Sequence, residues 1–265
     1  MAANATLQRV HEQGWRRGFA NTFRKENRDW WGTRRWWVAI LIWSVLVNGA
    51  LAATLSSSSA DAPAELIGMA QFLQMSVITT LIGAITIMQN TLIDEKKTGT
   101  AEWILSKPVS RSAFVLSKFA ANAIALLLIA IVLQGVLAYV QLSAKTGAAL
   151  AVMPFVVSLG IIALQMLLFI SLPLMLGAFF NSRGAVLGVP LALVFIVMVV
   201  SNFVPSIVQV APFSFGLTTG PADPMLAAVA LQAQPLPTLL PLISTAVWTV
   251  LFLAVALWRF GREEF

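Results

Sequence analysis

Six long apolar runs constrain the fold of this chain more than any other feature of its sequence. Each contains roughly 20 residues or more, the length that a helix needs to cross the hydrocarbon core of a bilayer. Since 58% of the 265 residues are hydrophobic and 11% are charged, a soluble fold would leave too much apolar surface in water. The sequence therefore predicts an all-α integral membrane protein with six transmembrane helices, over Trp36–Leu55, Ile67–Ile93, Phe119–Leu142, Ala151–Phe180, Ala185–Val204 and Leu239–Phe260.

Lysine and arginine residues are concentrated on one side of these six spans. Of the 17 lysine and arginine residues, all but Lys145 fall in the two termini, the second-to-third connection or the fourth-to-fifth connection. An even number of spans places these segments on one side, which the positive-inside rule makes cytoplasmic. Together with the basic, cysteine-free and alanine-rich composition, this predicts a multi-pass protein of the bacterial inner membrane with both termini in the cytoplasm.

Residue types that carry catalysis are scarce. The chain has no cysteine and a single histidine, His11, which argues against thiol chemistry, a zinc site and a Ser-His-Asp arrangement. It contains no phosphate-binding loop of the Gly-x-x-x-x-Gly-Lys-Ser/Thr kind. The net charge of +6 lies where it would meet anionic lipid, so membrane lipid rather than nucleic acid is the expected partner. We expect no catalytic residue, metal or cofactor in this chain.

Residues 1–35 form a basic, amphipathic N-terminal segment. Trp15, Phe19 and Phe23 follow one another at helical spacing, Leu7 and Val10 precede them, and basic residues lie off this stripe. The pattern predicts a helix in the headgroup region with its aromatic side chains dipped inward, followed by an interfacial belt of Trp30, Trp31, Trp36 and Trp37. Two interpretations remain open: a simple anchor, or an elbow helix that braces the bundle against a cytoplasmic partner.

The connection over residues 94–118 has the signals of a short helix between two spans. Gly99 permits a sharp turn, Thr100 is a candidate cap, and Glu102 would face the positive end of the helix dipole. Pro108 is expected to end this helix, and Ser110 to cap the next one, which leads into the third span. Trp103, Ile104 and Leu105 would make its apolar surface. This is either a docking element or an interfacial loop whose Trp103 lies among lipid headgroups.

The same connection carries a resemblance to a known family. The pattern Glu95-x-x-x-Gly99-Thr100-x-Glu102-x-x-Leu105-x-x-Pro108-Val109-Ser110-Arg111, followed by Lys118, resembles the second-to-third loop of ABC type-2 exporter permeases. The resemblance implies six spans, cytoplasmic termini, an N-terminal amphipathic helix and a coupling helix seated in a groove of the ATPase. The residues it assigns to ATPase coupling are Gly99, Thr100, Glu102, Trp103, Leu105, Pro108 and Arg111, with Arg183 as a second, smaller contact.

The resemblance also implies the partners and the mechanism. The chain would be the transmembrane permease subunit of an ATP-driven exporter, and not itself an enzyme. It would work with two copies of a separate ABC ATPase, which hold ATP and Mg, and with a second permease subunit in a homodimer or a related heterodimer. The alternatives are a stand-alone channel or secondary transporter, and a non-transporting subunit that passes ATPase motion to another protein. The substrate stays open.

The stretch before the last span is rich in proline. Pro205–Pro241 contains seven of the 12 prolines and neither lysine nor arginine. Within it, Met225–Leu231 is an apolar helical run too short to span, framed by Pro221, Pro224, Pro235 and Pro237. We expect residues 205–238 to form an external re-entrant segment. It would serve as a lid over a translocation path, as the resemblance implies, or only seal the bundle.

Polar residues inside the spans are candidates for a translocation path, because exposing them to lipid is costly. The resemblance implies that spans two and five line the path, which selects Gln71, Gln74 and Asn202. For any single residue, interhelical hydrogen bonding is the alternative, as it is for Asn48, Gln134 and Gln165 in the other spans. Gly184 and Gly188 form a small-xxx-small pair, which indicates close helix packing either within the chain or across a dimer.

Overall fold

In the computed structural model, the regular secondary structure is entirely helical over the described residues, which are 14–57, 64–204, 210–211 and 225–263. The helices are α1 (Phe19–Trp31), α2 (Arg35–Ser57), α3 (Ala64–Met88), α4 (Ile93–Lys97), α5 (Thr100–Leu105), α6 (Arg111–Thr146), α7 (Val152–Phe179), α8 (Arg183–Ser201), α9 (Leu226–Leu231) and α10 (Leu240–Gly261). Six segments of this part of the chain are long and apolar enough to cross a membrane: α2, the stretch from α3 through α4, α6, α7, α8 and α10. The six predicted spans are confirmed.

The third span differs most from its predicted bounds. The apolar run was expected over Phe119–Leu142, in a helix that starts after a cap at Ser110. Helix α6 begins at Arg111, in agreement with that cap, and continues to Thr146. Ser110 caps it as predicted, since its side chain accepts a hydrogen bond from the backbone N–H of Ala113 at 3.0 Å. The first two turns of α6 therefore project beyond the apolar run, toward the end of the bundle that carries most lysine and arginine residues. We call this end the basic end.

Helix α7 is the centre of the bundle. It packs against α3, α6, α8, α9 and α10, and it is the most buried of the six spans. Its apolar character on every face, including the aromatic contact of Phe155 with Phe72 of α3 at 5.8 Å between ring centroids, fits a helix surrounded by other helices. By contrast, α8 is the least buried span, so one long apolar face of it is open.

Helices α2 and α6 each contain a π-helical segment, Ser44–Gly49 in α2 and Leu127–Leu133 in α6. A polar network lies beside these segments. Asn48 donates from Nδ2 to Gln134 Oε1 at 2.7 Å, and Gln141 donates from Nε2 to Asn48 Oδ1 at 2.9 Å. The interhelical hydrogen bonding that was the alternative for Asn48 and Gln134 is thus confirmed.

The N-terminal segment corrects two predictions. Trp15 does not continue the helix of Phe19 and Phe23, because Gly14 and Gly18 have positive φ and Trp15 lies in a separate 3-10 turn, Gly14–Arg16. The face of α1 that is buried against α6 consists of Thr22, Glu26 and Trp30. Trp30 is therefore not part of an interfacial belt. Leu7, Val10 and His11 lie outside the described residues.

Trp30 is buried by protein because its indole has a partner there. Its Nε1 donates to Asn122 Oδ1 of α6 at 2.9 Å. Trp31 and Trp37, in contrast, are exposed on the surface of the bundle. A tryptophan at the end of a span thus joins two helices here instead of lying among headgroups.

At the opposite end of the bundle, the predicted short apolar run is a helix. Helix α9 (Leu226–Leu231) is far too short to span, and it is buried against α7 and α3. Of the four prolines that were expected to frame this run, Pro221 and Pro224 lie outside the described residues, as does most of 205–224.

Candidate functional site

Four charged side chains meet at the basic end of the bundle and join three parts of the chain. Lys118 of α6 places its Nζ 2.8 Å from Glu26 Oε1 of α1 and 2.8 Å from Glu95 Oε2 of α4. Lys25 of α1 pairs with Glu95 and lies 3.4 Å from Glu26 Oε1. The two lysines and two glutamates balance in charge, so the cluster as a whole is neutral.

Lys118 is the most buried member of this charge cluster. Its side chain is 2% exposed, and those of Glu26 and Glu95 are 11% and 14% exposed. A buried ammonium group is costly unless it is paired, and here both carboxylates face it. The cluster therefore holds α1 and α4 at fixed positions on α6.

Lys25 is held in its charged form by the same carboxylates. Burial alone lowers its pKa, but the hydrogen bond and charge of Glu95, followed by the charge and hydrogen bond of Glu26, outweigh burial and raise the pKa above its ordinary value of 10.5. The ion pairs that Lys25 makes are consequently intact at neutral pH.

Helix α5 follows the cluster and turns one side outward. Gly99 has a φ of 69°, a left-handed conformation that glycine adopts without a steric penalty, and the predicted sharp turn is confirmed. Ala101 and Ile104 are buried, whereas Glu102 is exposed and Trp103 is 63% exposed. The Nζ of Lys107 lies 3.2 Å from the Trp103 ring centroid, so a cation covers one face of this indole.

Thr100 does not cap α5. The helix begins at Thr100 itself, and Gly99 occupies the capping position without a side chain to accept a hydrogen bond. The Thr100 hydroxyl lies 2.8 Å from that of Thr98 instead. The left-handed turn at Gly99 explains the difference, because it lets the helix begin one residue earlier than a threonine cap would.

The chain that leaves α5 is attached to the N-terminal segment. The backbone N–H of Ser110 donates to the carbonyl of Arg17 at 2.9 Å, and its hydroxyl donates to the carbonyl of Trp15 at 2.7 Å. Gly18 lies so close to Val109 that a Cβ at Gly18 would be 2.8 Å from Val109 Cγ2. Both ends of the α5 connection are thus tied to the N-terminal segment, one through the charge cluster and the other through Ser110.

The C-terminal end of α10 also reaches this site. Lys96 of α4 pairs with Glu263 at 2.7 Å and donates to the carbonyl of Ala178 at 3.3 Å. Arg111 donates to the carbonyl of Gly261 at 2.6 Å. The α4–α5 region is therefore connected to α1, α6, α7 and α10, and a displacement of α5 would act on several spans.

The structure brings the predicted coupling residues to one end of the bundle. Glu102, Trp103, Pro108 and Arg111 are exposed, and Gly99, Thr100 and Leu105 are half-buried. Arg183, at the start of α8, donates to Asp94 Oδ1 at 2.6 Å, and both side chains are largely exposed. Arg183, which was expected to make a second contact with the ATPase, therefore lies next to α4, which is in the same connection as the other predicted coupling residues.

The three candidates for a translocation path lie at the opposite end. Gln71 is half-buried and Gln74 is exposed in the first half of α3, while Asn202 is exposed immediately after α8. Asn202 was expected inside the fifth span, but α8 ends at Ser201, and the Asn202 amide donates to the carbonyl of Met198 at 2.8 Å. Since α3 and α8 run in opposite directions, all three belong to the same half of the bundle.

The small-residue pair in α8 makes no close packing contact with the part of the chain that the structure describes. Among those residues, a Cβ at Gly188 would meet no atom within 4 Å, and one at Gly184 would meet only the Ser182 hydroxyl, at 3.7 Å. Together with the exposed side chains of Leu191 and Phe195, these glycines leave a smooth apolar face on α8.

Sequence reasoning missed the charge cluster as such and the C-terminal pair. Glu95 and Lys118 were part of the pattern that carries the family resemblance, but they were not expected to pair, and Glu26 was not singled out. A weak signal was present: Thr22, Glu26 and Trp30 recur at four-residue spacing, and a carboxylate within an otherwise basic helix calls for a cation on the neighbouring element. Glu263 carried no comparable signal.

Comparison with known proteins identifies the family to which this architecture belongs. A family model described as "ABC-2 family transporter protein" matches residues 20–265, which is nearly the whole chain. The match begins inside α1 and includes all six spans and the α4–α5 connection. No curated protein matches the chain.

Proposed function

The chain belongs to the ABC-2 family of transporter proteins, and on this premise we propose that it is the permease subunit of an exporter driven by a separate ATPase. As a member of this family it is a multi-pass membrane subunit of an ABC transporter and not an enzyme by itself. The proposal adds the direction of transport, the coupling to ATP hydrolysis and the residues that carry it.

The observation that carries the proposal is the arrangement of α5. Its inner side, Ala101 and Ile104, is anchored in the bundle, while Glu102 and Trp103 point outward at the basic end. An exposed tryptophan beside an exposed carboxylate is the kind of anchor that protein interfaces use. A short helix that is exposed outside and fixed inside is suited to pass the motion of a partner to the membrane spans.

The charge cluster would make this transmission rigid. If an ATPase groove holds Glu102 and Trp103, closure of the ATPase upon ATP binding displaces α5. Glu95 and Lys118 then pass the displacement to α6 and α1, and Lys96 passes it to α10. The spans respond as rigid bodies, the usual form of domain-scale switching.

The remaining predicted coupling residues have supporting roles in this proposal. Gly99 would provide the turn, Thr100 and Leu105 the flanks of the contact, and Pro108 and Arg111 its far edge. Arg183, paired with Asp94, would form the second, smaller contact with the ATPase. ATP and Mg would be bound by the ATPase alone.

We further propose the assembly and its orientation. Two ATPase copies would serve two permease subunits, identical or related, and the open face of α8 around Gly188 would pack against the second permease. Gln71, Gln74 and Asn202 would line the exit half of a path between the subunits, with α9 and its neighbouring segment as a lid. The basic end would face the cytoplasm of a bacterium, across its inner membrane.

Co-purification tests the proposal directly. The tagged chain is expressed with the ABC ATPase encoded nearest to it, and vanadate-sensitive ATPase activity is measured in the purified complex. We expect the ATPase to co-purify with the wild type and to be lost from the Glu102→Ala, Trp103→Ala double variant. Trp37→Ala, which removes another exposed tryptophan at the same end of the bundle, is the matched control and should retain the ATPase. If the double variant binds the ATPase as well as this control does, α5 is not the coupling helix.

A further inference from the structure

An apolar groove runs between α2 and α3 in the half of the bundle nearest the basic end. Its volume is about 360 Å³, within the range of small-molecule sites. Val38, Ile42 and Leu46 form the α2 wall, and Ile82 and Thr86 belong to the α3 wall. All five side chains are exposed, so the groove opens on the outside of this chain. A ligand that fits it is a narrow apolar chain.

The groove has a specific floor. The indole of Trp43 lies across Gly83 of α3, where a Cβ would come within 2.3 Å of Trp43 Cζ2. Trp43 is 5% exposed, and its Nε1 donor has no hydrogen-bond partner among the described residues. Because this nitrogen is buried from the surface, the groove meets the indole ring, and its floor offers an apolar contact.

The mouth of the groove is cationic. Arg35 lines it, with its guanidinium 4.9 Å from the ring centroid of Trp30, which lines the groove as well. No carboxylate of the described residues pairs with Arg35, and Arg34 precedes it in the sequence. A guanidinium held by stacking and left without a carboxylate is suited to bind phosphate.

We propose that this groove is a binding site for an anionic phospholipid, with one acyl chain between α2 and α3 and the phosphate at Arg35. A phospholipid combines the two properties that the site requires: an anionic phosphate for the mouth and a hydrocarbon chain for the walls. Trp30 links the site to the charge cluster, since it lies on the same face of α1 as Glu26 and is bonded to Asn122 of α6. Bound lipid would fill the groove beside Trp30 and stabilise the packing of α1 against α6.

A second copy of the chain is a less suitable occupant. The cation at the mouth would need an acidic partner. On the described surface at the basic end, Asp94 is already paired with Arg183, and the exposed carboxylates Asp29 and Glu102 lie on different helices, α1 and α5. Anionic lipid, by contrast, meets a basic protein surface at headgroup depth in any membrane of negative surface potential.

Native mass spectrometry of the full-length chain tests the site. The protein is purified, stripped of loosely bound lipid and titrated with phosphatidylglycerol or phosphatidylcholine. We expect the wild type to retain phosphatidylglycerol preferentially. Arg35→Gln should weaken phosphatidylglycerol binding about fivefold and remove the preference, whereas Arg34→Gln, outside the groove, should leave the preference in place.

The wall is tested with pairs of bulky substitutions. Ile42→Trp fills the groove and should abolish lipid retention, whereas Leu41→Trp, at an exposed position of α2 outside the groove, should leave it unchanged. Thr86→Trp repeats the test from α3, with Ile78→Trp as its control, in case Ile42→Trp does not fold. Each variant is first checked for a monodisperse size-exclusion profile.

Two results would overturn the proposal. One is equal lipid retention by the groove variants and their controls, or equal effects of Arg35→Gln and Arg34→Gln. The other is efficient disulfide formation between two copies of Ile42→Cys in native membranes, which would show that a second chain covers the groove. The absence of native cysteine makes this cross-link unambiguous.

Discussion

Lys118 and Glu26 are 92 residues apart in the chain, yet the ammonium group of one lies 2.8 Å from the carboxylate of the other in a nearly dry environment. This pair fixes the amphipathic helix α1 to the third span. Glu95 of α4 also pairs with Lys118, and it lies just before the chain turns toward α5. The position of α5 in the bundle therefore depends on an ion cluster rather than on apolar packing alone.

The first prediction concerns the lysine at the centre of this cluster. Lys118→Met removes the cation that lies between two buried carboxylates, so Glu26 and Glu95 repel each other with only Lys25 nearby. We expect a loss of about 3–5 kcal/mol in the free energy of unfolding, measured by thermal unfolding in detergent. Lys145→Met, at an exposed site on the opposite end, is the control. A similar small shift for both variants would show that the cluster does not stabilise the fold.

A second prediction separates backbone strain from steric contact at two glycines. Gly14 and Gly18 both have positive φ, but a Cβ at Gly14 would meet no atom of the described residues within 4 Å, whereas one at Gly18 would collide with Val109. Gly14→Ala should cost about 1 kcal/mol through its conformation alone. Gly18→Ala should cost about 1–3 kcal/mol more, because it also pushes the chain before α6 away.

The explanation is tested by adding Val109→Ala to Gly18→Ala. Shortening Val109 removes the collision without changing the backbone of Gly18, so the double variant should be more stable than the single one in the same thermal unfolding assay. If Gly14→Ala and Gly18→Ala are equally destabilising, or if Val109→Ala gives no recovery, the contact between Gly18 and Val109 does not position the segment.

Features encoded locally were predictable from the sequence. The six spans follow from runs of apolar residues, and the turn at Gly99 and the cap at Ser110 depend on residues within a few positions of each other. The start of α5 was misassigned by one residue, since a left-handed glycine and a threonine cap are alternative ways to begin a helix at the same place.

Pairings across the bundle were not predictable in the same way. A count of charges gives equal weight to four lysines at the basic end. Within the protein, however, Lys25, Lys96 and Lys118 make ion pairs, whereas Lys97 is exposed. Trp30 has the position of an interfacial tryptophan and becomes buried because Asn122 lies opposite its indole. Which of several chemically similar residues turns inward depends on the rotation of each helix against its neighbours, and local patterns of charge and hydrophobicity indicate this rotation only weakly.

The contrast between Lys96 and Lys97 is a third prediction. Lys96 has a side chain that is 8% exposed and paired with Glu263, which ties the C-terminal end to α4. Lys96→Met should lower the free energy of unfolding by about 2 kcal/mol, less than for a fully buried pair because Glu263 keeps some contact with solvent. Lys97→Met should change it by about 0.5 kcal/mol or less. Chymotrypsin should also cleave after Phe260 faster in Lys96→Met; equal cleavage in both variants would contradict the role of the pair.

The fourth prediction concerns pH. The pKa of Lys25 is raised in the folded protein, so its stabilising contribution is fully present below the unfolded value of 10.5 and is lost only as pH rises through the higher folded value. The difference in melting temperature between wild type and Lys25→Met should therefore be constant from neutral pH to about pH 9.5 and shrink only above pH 10.5. A difference that already shrinks near pH 8 would mean that Lys25 loses its proton too early for this pairing.

The fifth prediction contrasts two buried amides within the spans. Asn48 is bonded to both Gln134 and Gln141, whereas neither amide atom of Gln165, which is 2% exposed, has a partner among the described residues. Asn48→Leu removes the hydrogen bonds of Gln134 Oε1 and Gln141 Nε2 with Asn48. It should cost about 1 kcal/mol, since interhelical hydrogen bonds in membranes are individually modest. Gln165→Leu removes an unpaired group and should be neutral or stabilising by up to about 1 kcal/mol. Both variants introduce the same apolar side chain, so thermal unfolding of the two compares a hydrogen-bonded amide with an unpaired one.

Destabilisation by Gln165→Leu equal to that by Asn48→Leu would contradict this prediction. It would show that Gln165 has a partner, such as a bound water or a second subunit, and would make this residue a candidate for the translocation path.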